Sequence, residues 1–282
     1  MSIPATGALP GERRGYVQCG DRQVHYREQG SGPAVVLVHQ APWASIQYRQ
    51  VMPLIAAAGL RAIAPDLPGH GLSDPLADPT IEGFATLLPS LLDTLGVAQA
   101  VIIGQHGGAL VAGRMAAAYP DRVAALALDN APLYTPEQRA RRLAAIDETQ
   151  TIAPDGSHLL DRWSLVRRIA EPDWSDETLH VSVLTYFANG PTREHGHRAA
   201  ARYDFSSDLV RIACPTLVVA GLTDPVFSSG LQLTECRPDW DYIELPGGAV
   251  MLLERPETWC AAILPFLNTH LGVPQKLALD LH

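Results

Sequence analysis

The sequence predicts an α/β fold: a mostly parallel central sheet with helices on both faces and a helical cap inserted into it. Three observations carry that expectation. Short apolar runs bounded by turn residues alternate with helix-patterned runs along most of the chain. Those runs are apolar throughout rather than every second residue, which is the pattern of strands buried on both faces, and strand–helix alternation makes neighbouring strands parallel. One gap breaks the rhythm: more than eighty residues lie between Asn130 and Pro215, too many for a simple crossover.

Taken in order, residues 15–19 and 23–28 read as an opening hairpin. Strands follow at 34–39 (AVVLVH), 61–66 (RAIAPD), 100–104 (AVIIG), 124–129, 216–221 (TLVVAG) and 242–245. Helical periodicity fills the intervals at 46–58, 81–95, 109–119, 229–237 and 256–271. Inside the long gap, 158–169 and 176–187 are amphipathic, so the insertion is expected to be helical. The expected organisation is a core of 15–131 and 210–272, a cap of 132–209, and terminal segments at 1–14 and 273–282. No internal repeat or low-complexity run appears.

With 282 residues, 47% hydrophobic and 18% charged, the chain is long enough to bury roughly 75% of its unfolded surface and needs no disulfide or structural metal. Its formal charge of -9 argues against a nucleic acid or an anionic membrane as partner and for a small-molecule substrate. A homodimer is left open. Of the 21 basic residues only Lys276 is lysine, which reads as the codon usage of a GC-rich bacterial genome. Cys19, Cys214, Cys236 and Cys260 fit no metal or redox spacing and read as small side chains in a reducing cytosol. With no apolar leader and no membrane-length apolar run, the expectation is a soluble cytoplasmic protein.

In an open parallel sheet, ligands bind beyond the carboxyl ends of the strands. The candidates are therefore His39-Gln40-Ala41-Pro42-Trp43, Asp66-Leu67-Pro68-Gly69-His70-Gly71, Gly104-Gln105-His106-Gly107-Gly108, Asp129-Asn130, Gly221-Leu222-Thr223-Asp224 and the loop after the last strand. The motifs Asp66-Leu67-Pro68-Gly69-His70-Gly71-Leu72-Ser73-Asp74, the strand-turn-helix at 104–108 and Leu253-Glu254-Arg255-Pro256 occur in that order. Together they resemble a capped member of the α/β-hydrolase superfamily, of the epoxide hydrolase, haloalkane dehalogenase and C–C hydrolase kind, over about 15–271. The resemblance implies an α/β-hydrolase fold with the nucleophile on a strained G-x-S-x-G turn.

Here that position is His106, between Gly104 and Gly108. Counting back from Glu254-Arg255-Pro256 sets the family's catalytic histidine on Ala249, while the acid after the seventh strand matches Asp224. Acyl transfer by a Ser-His-Asp triad is thus not open to this chain as the family writes it. The reading is of an atypical enzyme without a cofactor. His106 acts as general base or, less readily, as nucleophile, with Asp224 orienting it and the backbone N–H groups of Gly107 and Ala41 holding an oxyanion. Asp129 is a second candidate for orienting His106, whereas His39 and His70 match structural family positions.

Gln40, Trp43, Gln105, Asn130, Tyr134 and Tyr186 are candidate substrate-binding residues. Trp43, Tyr48, Tyr134, Trp163, Tyr186 and Phe187 favour an apolar or aromatic carbonyl substrate, for ester or lactone hydrolysis or for a lyase, decarboxylase or isomerase step. Two alternatives stay open. One is a binding protein or sensor that has lost the chemistry. The other is a metal-dependent enzyme using His106 with the cap histidines of Glu194-His195-Gly196-His197. No metal is assigned in the main reading.

Overall fold

The computed structural model describes residues 8–146, 152–171 and 174–273. Eight strands form one sheet in the order β1-β2-β4-β3-β5-β6-β7-β8. They are β1 (Glu12–Cys19), β2 (Arg22–Gly30), β3 (Ala34–Val38), β4 (Arg61–Pro65), β5 (Ala100–Gln105), β6 (Val123–Asp129), β7 (Thr216–Gly221) and β8 (Asp241–Leu245). The β1–β2 and β2–β4 pairs are antiparallel, and all the others are parallel. The chain thus has the α/β-hydrolase fold that its motifs imply.

The opening hairpin begins earlier than the apolar pattern indicates, because a charged residue is buried at its start. Glu12 pairs with Gln29 in register, and its carboxylate meets the Arg27 guanidinium, with Arg49 Nε 3.4 Å away. A buried arginine–glutamate cluster looks exposed in a hydropathy pattern.

Among the described residues, seven helices flank the sheet before and after the insertion, beginning with α1 (Met52–Ala57), α2 (Ile81–Ala85), α3 (Leu87–Thr94) and α4 (Gly107–Ala118). The helix expected at 46–58 is a short 3-10 turn, Ser45–Tyr48, followed by α1, which starts where Pro53 can sit in a first turn without a hydrogen to donate. The helix expected at 81–95 breaks at Thr86 for the same reason: Pro89 cannot donate to the Ala85 carbonyl and its ring crowds it.

The insertion between β6 and β7 contains α5 (Pro136–Ala145), α6 (Ser157–Ile169), α7 (Asp176–Ala188), α8 (His195–Arg202) and α9 (Ser206–Leu209). After it come α10 (Phe227–Cys236), α11 (Met251–Glu254) and α12 (Pro256–Leu271).

Strand alternation divides the core into two layers. From β5, Ala100 and Ile102 pack with Phe84 of α2, Leu91 of α3 and Met115 of α4. Val101 and Ile103 pack on the other face with Ile55 of α1 and Trp259, Ile263 and Leu267 of α12.

The insertion is pinned to the strand-end loops by polar ties. Asn189 Nδ2 donates to the Pro42 carbonyl (2.7 Å) and its Oδ1 accepts from Gly71 N (2.9 Å). Thr192 Oγ1 donates to the Gly69 carbonyl (2.5 Å), and Ser175 donates through N and Oγ to Glu254 (2.9 and 2.7 Å). Gly196 of α8 lets the backbone approach closely: a Cβ there would lie 2.6 Å from Ala41 Cβ and 2.9 Å from His70 Nε2.

Among the described residues, no helix is long and apolar enough to cross a membrane.

Candidate active site

The sharp turn between β5 and α4 carries His106 at φ 48°, ψ -118°. Few residues other than glycine adopt a positive φ, and histidine is among the types enriched there. Two glycines make the turn sterically open. A Cβ on Gly104 would lie 2.2 Å from the Gly108 carbonyl oxygen, and one on Gly108 would lie 2.2 Å from that of Val38. The His106 backbone is held by its N–H donating to the Asp129 carbonyl (3.0 Å) and by its own carbonyl accepting from Ala109 (2.9 Å).

Asp224 stands in the loop after β7, its side chain fully buried, and its Oδ2 lies 2.8 Å from His106 Nε2. The other carboxylate oxygen accepts from Val226 N at 2.9 Å, which locks the carboxylate in orientation. Burial depresses the imidazolium of His106, but the Asp224 charge and hydrogen bond, with the Asp129 charge behind them, outweigh burial and raise its pKa above the ordinary histidine value. With Nε2–H engaged by Asp224, Nδ1 is the ring nitrogen without a partner among the described residues, on a ring that lines a cavity.

That cavity, about 500 Å³, lies between the strand ends and the insertion. Gln40, Ala41, His106, Gly107, Tyr134 and Tyr186, all candidates from the sequence, line it. The Ala41 and Gly107 backbone N–H groups have no acceptor among the described residues, and Gly107 opens α4, whose dipole favours negative charge.

Three candidates are corrected, because each points into the scaffold instead. Trp43 packs against Val181 and Val250. Gln105 Nε2 donates to the Ala249 carbonyl (2.9 Å) and to Asp129 Oδ2 (3.2 Å), while its Oε1 accepts from Gln47. Asn130, also at φ 48°, accepts from Gly221 N (2.7 Å) and donates to Asp129 Oδ1 (3.0 Å), which ties β6 to β7.

Asp129 does not orient the His106 ring. Its carboxylate receives Trp259 Nε1 (2.9 Å) as well as Gln105 and Asn130, and burial pushes its pKa up to about 7 against those donors.

His39 and His70 hold loops. His39 Nε2 accepts from Leu67 N (2.8 Å), so its Nδ1 carries the proton that goes to the Gln40 carbonyl (2.9 Å). His70 packs edge-on to His39 and Phe84, and burial draws its pKa down to about 3.

At Ala249 no side chain reaches toward His106. The loop is closed from the insertion: Ala249 N donates to Glu171 Oε1 (3.1 Å), and Glu171 Oε2 accepts from Thr223 Oγ1 (2.5 Å). A Cβ on Gly248 would lie 2.0 Å from Glu171 Oε1, so glycine makes room for that carboxylate.

The cavity lining also holds Arg142 of α5 and Asp161, Arg162 and Leu165 of α6, which the sequence reading missed, and Glu194 and His197 at the start of α8, which it named only under the metal alternative. The first four carry no motif in the sequence. His197 Nδ1 instead meets Glu194 Oε2 at 2.7 Å, and among the described residues no group of three or more His, Cys, Asp or Glu is gathered as a metal site. The metal-dependent alternative therefore finds no ligand set there. Nor is the cavity the apolar chamber expected, since charged side chains stand among its tyrosines.

A family profile described as alpha/beta hydrolase fold matches residues 33–256. The chain belongs to the α/β-hydrolase fold family. Among curated relatives of this α/β hydrolase is an epoxide hydrolase of Caballeronia sordidicola, 32% identical over 176 residues, which is 61% of this chain and 51% of that protein. A haloalkane dehalogenase of Psychrobacter cryohalolentis is 39% identical over 118 residues, 40% of this chain and 39% of that protein. The matched stretch thus spans about half or less of these relatives. Among solved structures, the enol-lactonase of Burkholderia xenovorans LB400 superimposes with a TM-score of 0.73 at 24% identity, covering 90% of this chain and all of that one. Epoxide hydrolase A of Mycobacterium thermoresistibile gives 0.73 at 24% identity over 91% and 98% of the two chains. At this identity the likeness concerns the fold.

Proposed function

We propose that this α/β hydrolase is an enzyme acting on a small carbonyl substrate, an ester or lactone, with His106 as general base and no cofactor in the reaction. Residues 132–209 serve as its cap over a core of 15–131 and 210–272. The observation that carries the reading is the His106–Asp224 contact of 2.8 Å on a turn at positive φ, beside two backbone N–H groups that have no acceptor among the described residues.

The chemistry follows from those groups. His106 Nδ1 takes a proton from water as the water oxygen bonds to the substrate carbonyl carbon. The carbonyl π pair moves onto oxygen, where the Ala41 and Gly107 N–H groups hold it. Collapse of the adduct breaks the bond to the leaving oxygen, which receives the proton back from Nδ1. Asp224 stabilises the transient imidazolium and fixes the ring. No covalent acyl-enzyme is required, so the hydroxyl that the family carries at this turn is dispensable for this route.

The test is turnover of an ester and lactone panel by the wild type and His106→Ala, with mass spectrometry of products and of quenched enzyme. The expected result is loss of at least about 10²-fold in kcat/KM in the variant, with no acyl adduct on the wild type. Undiminished turnover in His106→Ala, or an accumulating adduct on His106, overturns the base assignment. No turnover of any panel member by the wild type moves the protein to a ligand-binding role.

A further inference from the structure

The geometry points to Arg162, with Arg142, as a carboxylate-binding pair in the cavity, so that the substrate is an acid bearing its ester or lactone bond at a distance from a free carboxylate. The inference rests on the reading that this cavity receives the substrate.

The observation is a contrast among the arginines. Four other arginines that leave solvent are matched to carboxylates: Arg27 and Arg49 to Glu12, Arg61 to Glu28 at 2.6 Å, and Arg114 to Asp208 at 3.0 Å. Arg162 is only partly exposed, lines the cavity and has no carboxylate at ion-pair distance among the described residues. Its Nε is inaccessible to solvent and has no hydrogen-bond partner there. An unpaired, partly desolvated cation carries an energetic cost that an anionic ligand relieves.

Ring stacking presents the donors. The Arg162 guanidinium carbon sits 3.6 Å from the centre of the Tyr186 ring, and that of Arg142 sits 4.2 Å from the centre of the Tyr134 ring. Stacking engages the flat face of a guanidinium and leaves its edge N–H groups available, in the fork that matches a carboxylate. Arg193 approaches the same Tyr186 ring and donates to its hydroxyl at 3.2 Å, so the platform under Arg162 is itself fixed.

The Glu194 charge acts on Arg162, but among the described residues neither acidic side chain of the lining stands at ion-pair distance from it. Glu194 is engaged by His197 at 2.7 Å, and Asp161 is exposed to solvent. A cavity of about 500 Å³ is of a size that encloses a small organic acid.

The experiment is equilibrium titration calorimetry on the full chain with phenylacetate, 3-phenylpropionate and hexanoate, each against its neutral amide. At least one acid is expected to bind ten or more times tighter than its amide. That preference should shrink to within twofold in Arg162→Gln, survive in part in Arg162→Lys, and weaken in Arg142→Gln, with thermal unfolding verifying that each variant is folded.

Equal affinity for acid and amide throughout, or a preference untouched in both glutamine variants, overturns the pair. Ester hydrolysis that depends on His106 without any acid preference overturns this inference and leaves the catalytic reading standing. Acid preference without hydrolysis supports this inference and overturns the catalytic reading.

Discussion

His106 Nε2 and Asp224 Oδ2 lie 2.8 Å apart across the ends of β5 and β7, joining a turn at positive φ to a buried carboxylate. In a Ser-His-acid triad the histidine is the middle member. Here the imidazole has moved to the turn itself, and the acid contacts it directly without an intermediary.

The first prediction is the pH dependence of that contact. A general base works in its neutral form, so kcat/KM climbs as pH rises through the His106 pKa, which Asp224 holds above the ordinary histidine value. Asp224→Asn removes the charge and leaves burial, which acts the other way, so the rising limb moves to lower pH while the plateau falls by on the order of 10²-fold or more. A pH–rate profile of both proteins checks it. A limb that stays in place in the variant contradicts the assignment.

The second concerns the turn. A methyl group at position 108 would meet the Val38 and His39 carbonyl oxygens at 2.2 and 2.5 Å, and backbone atoms do not swing aside as a side-chain end does. Gly108→Ala should therefore destabilise the protein by roughly 1–3 kcal/mol and lower activity further by displacing Gly107 N–H. Denaturant unfolding and kcat measure the two effects separately. An unchanged midpoint would mean that the turn tolerates the approach.

The third is acid stability away from the site. Burial disfavours the Asp66 carboxylate, but His25 Nδ1 at 2.8 Å and Ser45 N at 2.7 Å outweigh it and lower its pKa to about 2. A carboxyl with a depressed folded pKa contributes stability that is complete above its unfolded pKa and is lost as pH falls through the folded one. Stability should thus fall by about 2 kcal/mol between roughly pH 4 and pH 2. Asp66→Asn should remove that part of the slope in urea melts, and an unaltered slope would assign acid sensitivity elsewhere.

How much of this was legible in the sequence depends on which physical signal each feature leaves. The inner strands were legible because strands buried on both faces write continuous apolar runs, as 100–104 and 216–221 do, whereas the opening hairpin and β8 are only partly buried and read less sharply. Helix breaks at Thr86 and before Met52 were missed because periodicity continues through them, although Pro89 and Pro53 were in view. At the site, His106 and Asp224 were legible from their positions at strand ends. The same rule wrongly admitted Gln105 and Asn130, since strand-end side chains alternate between facing the ligand and bracing the neighbouring strand. Arg142 and Arg162 left no trace, because which face of an inserted helix meets the cavity is decided by tertiary packing.

The last prediction turns on Asp129, which braces the turn without touching the His106 ring. Three donors converge on its carboxylate, from Trp259, Gln105 and Asn130, yet burial prevails and raises its pKa to about 7. An acid whose folded pKa is raised binds its proton more tightly folded than unfolded. It therefore costs stability progressively as pH rises from about 4 to about 7, and the loss levels off above that. Asp129→Asn removes this slope but turns an amide N–H₂ toward donors, at a penalty of roughly 1–3 kcal/mol. The variant should be clearly less stable than wild type near pH 5, and the gap should narrow toward pH 8.5. Guanidinium unfolding at the two pH values decides it: a gap that is constant would mean the carboxylate is ionised throughout and held by its three donors.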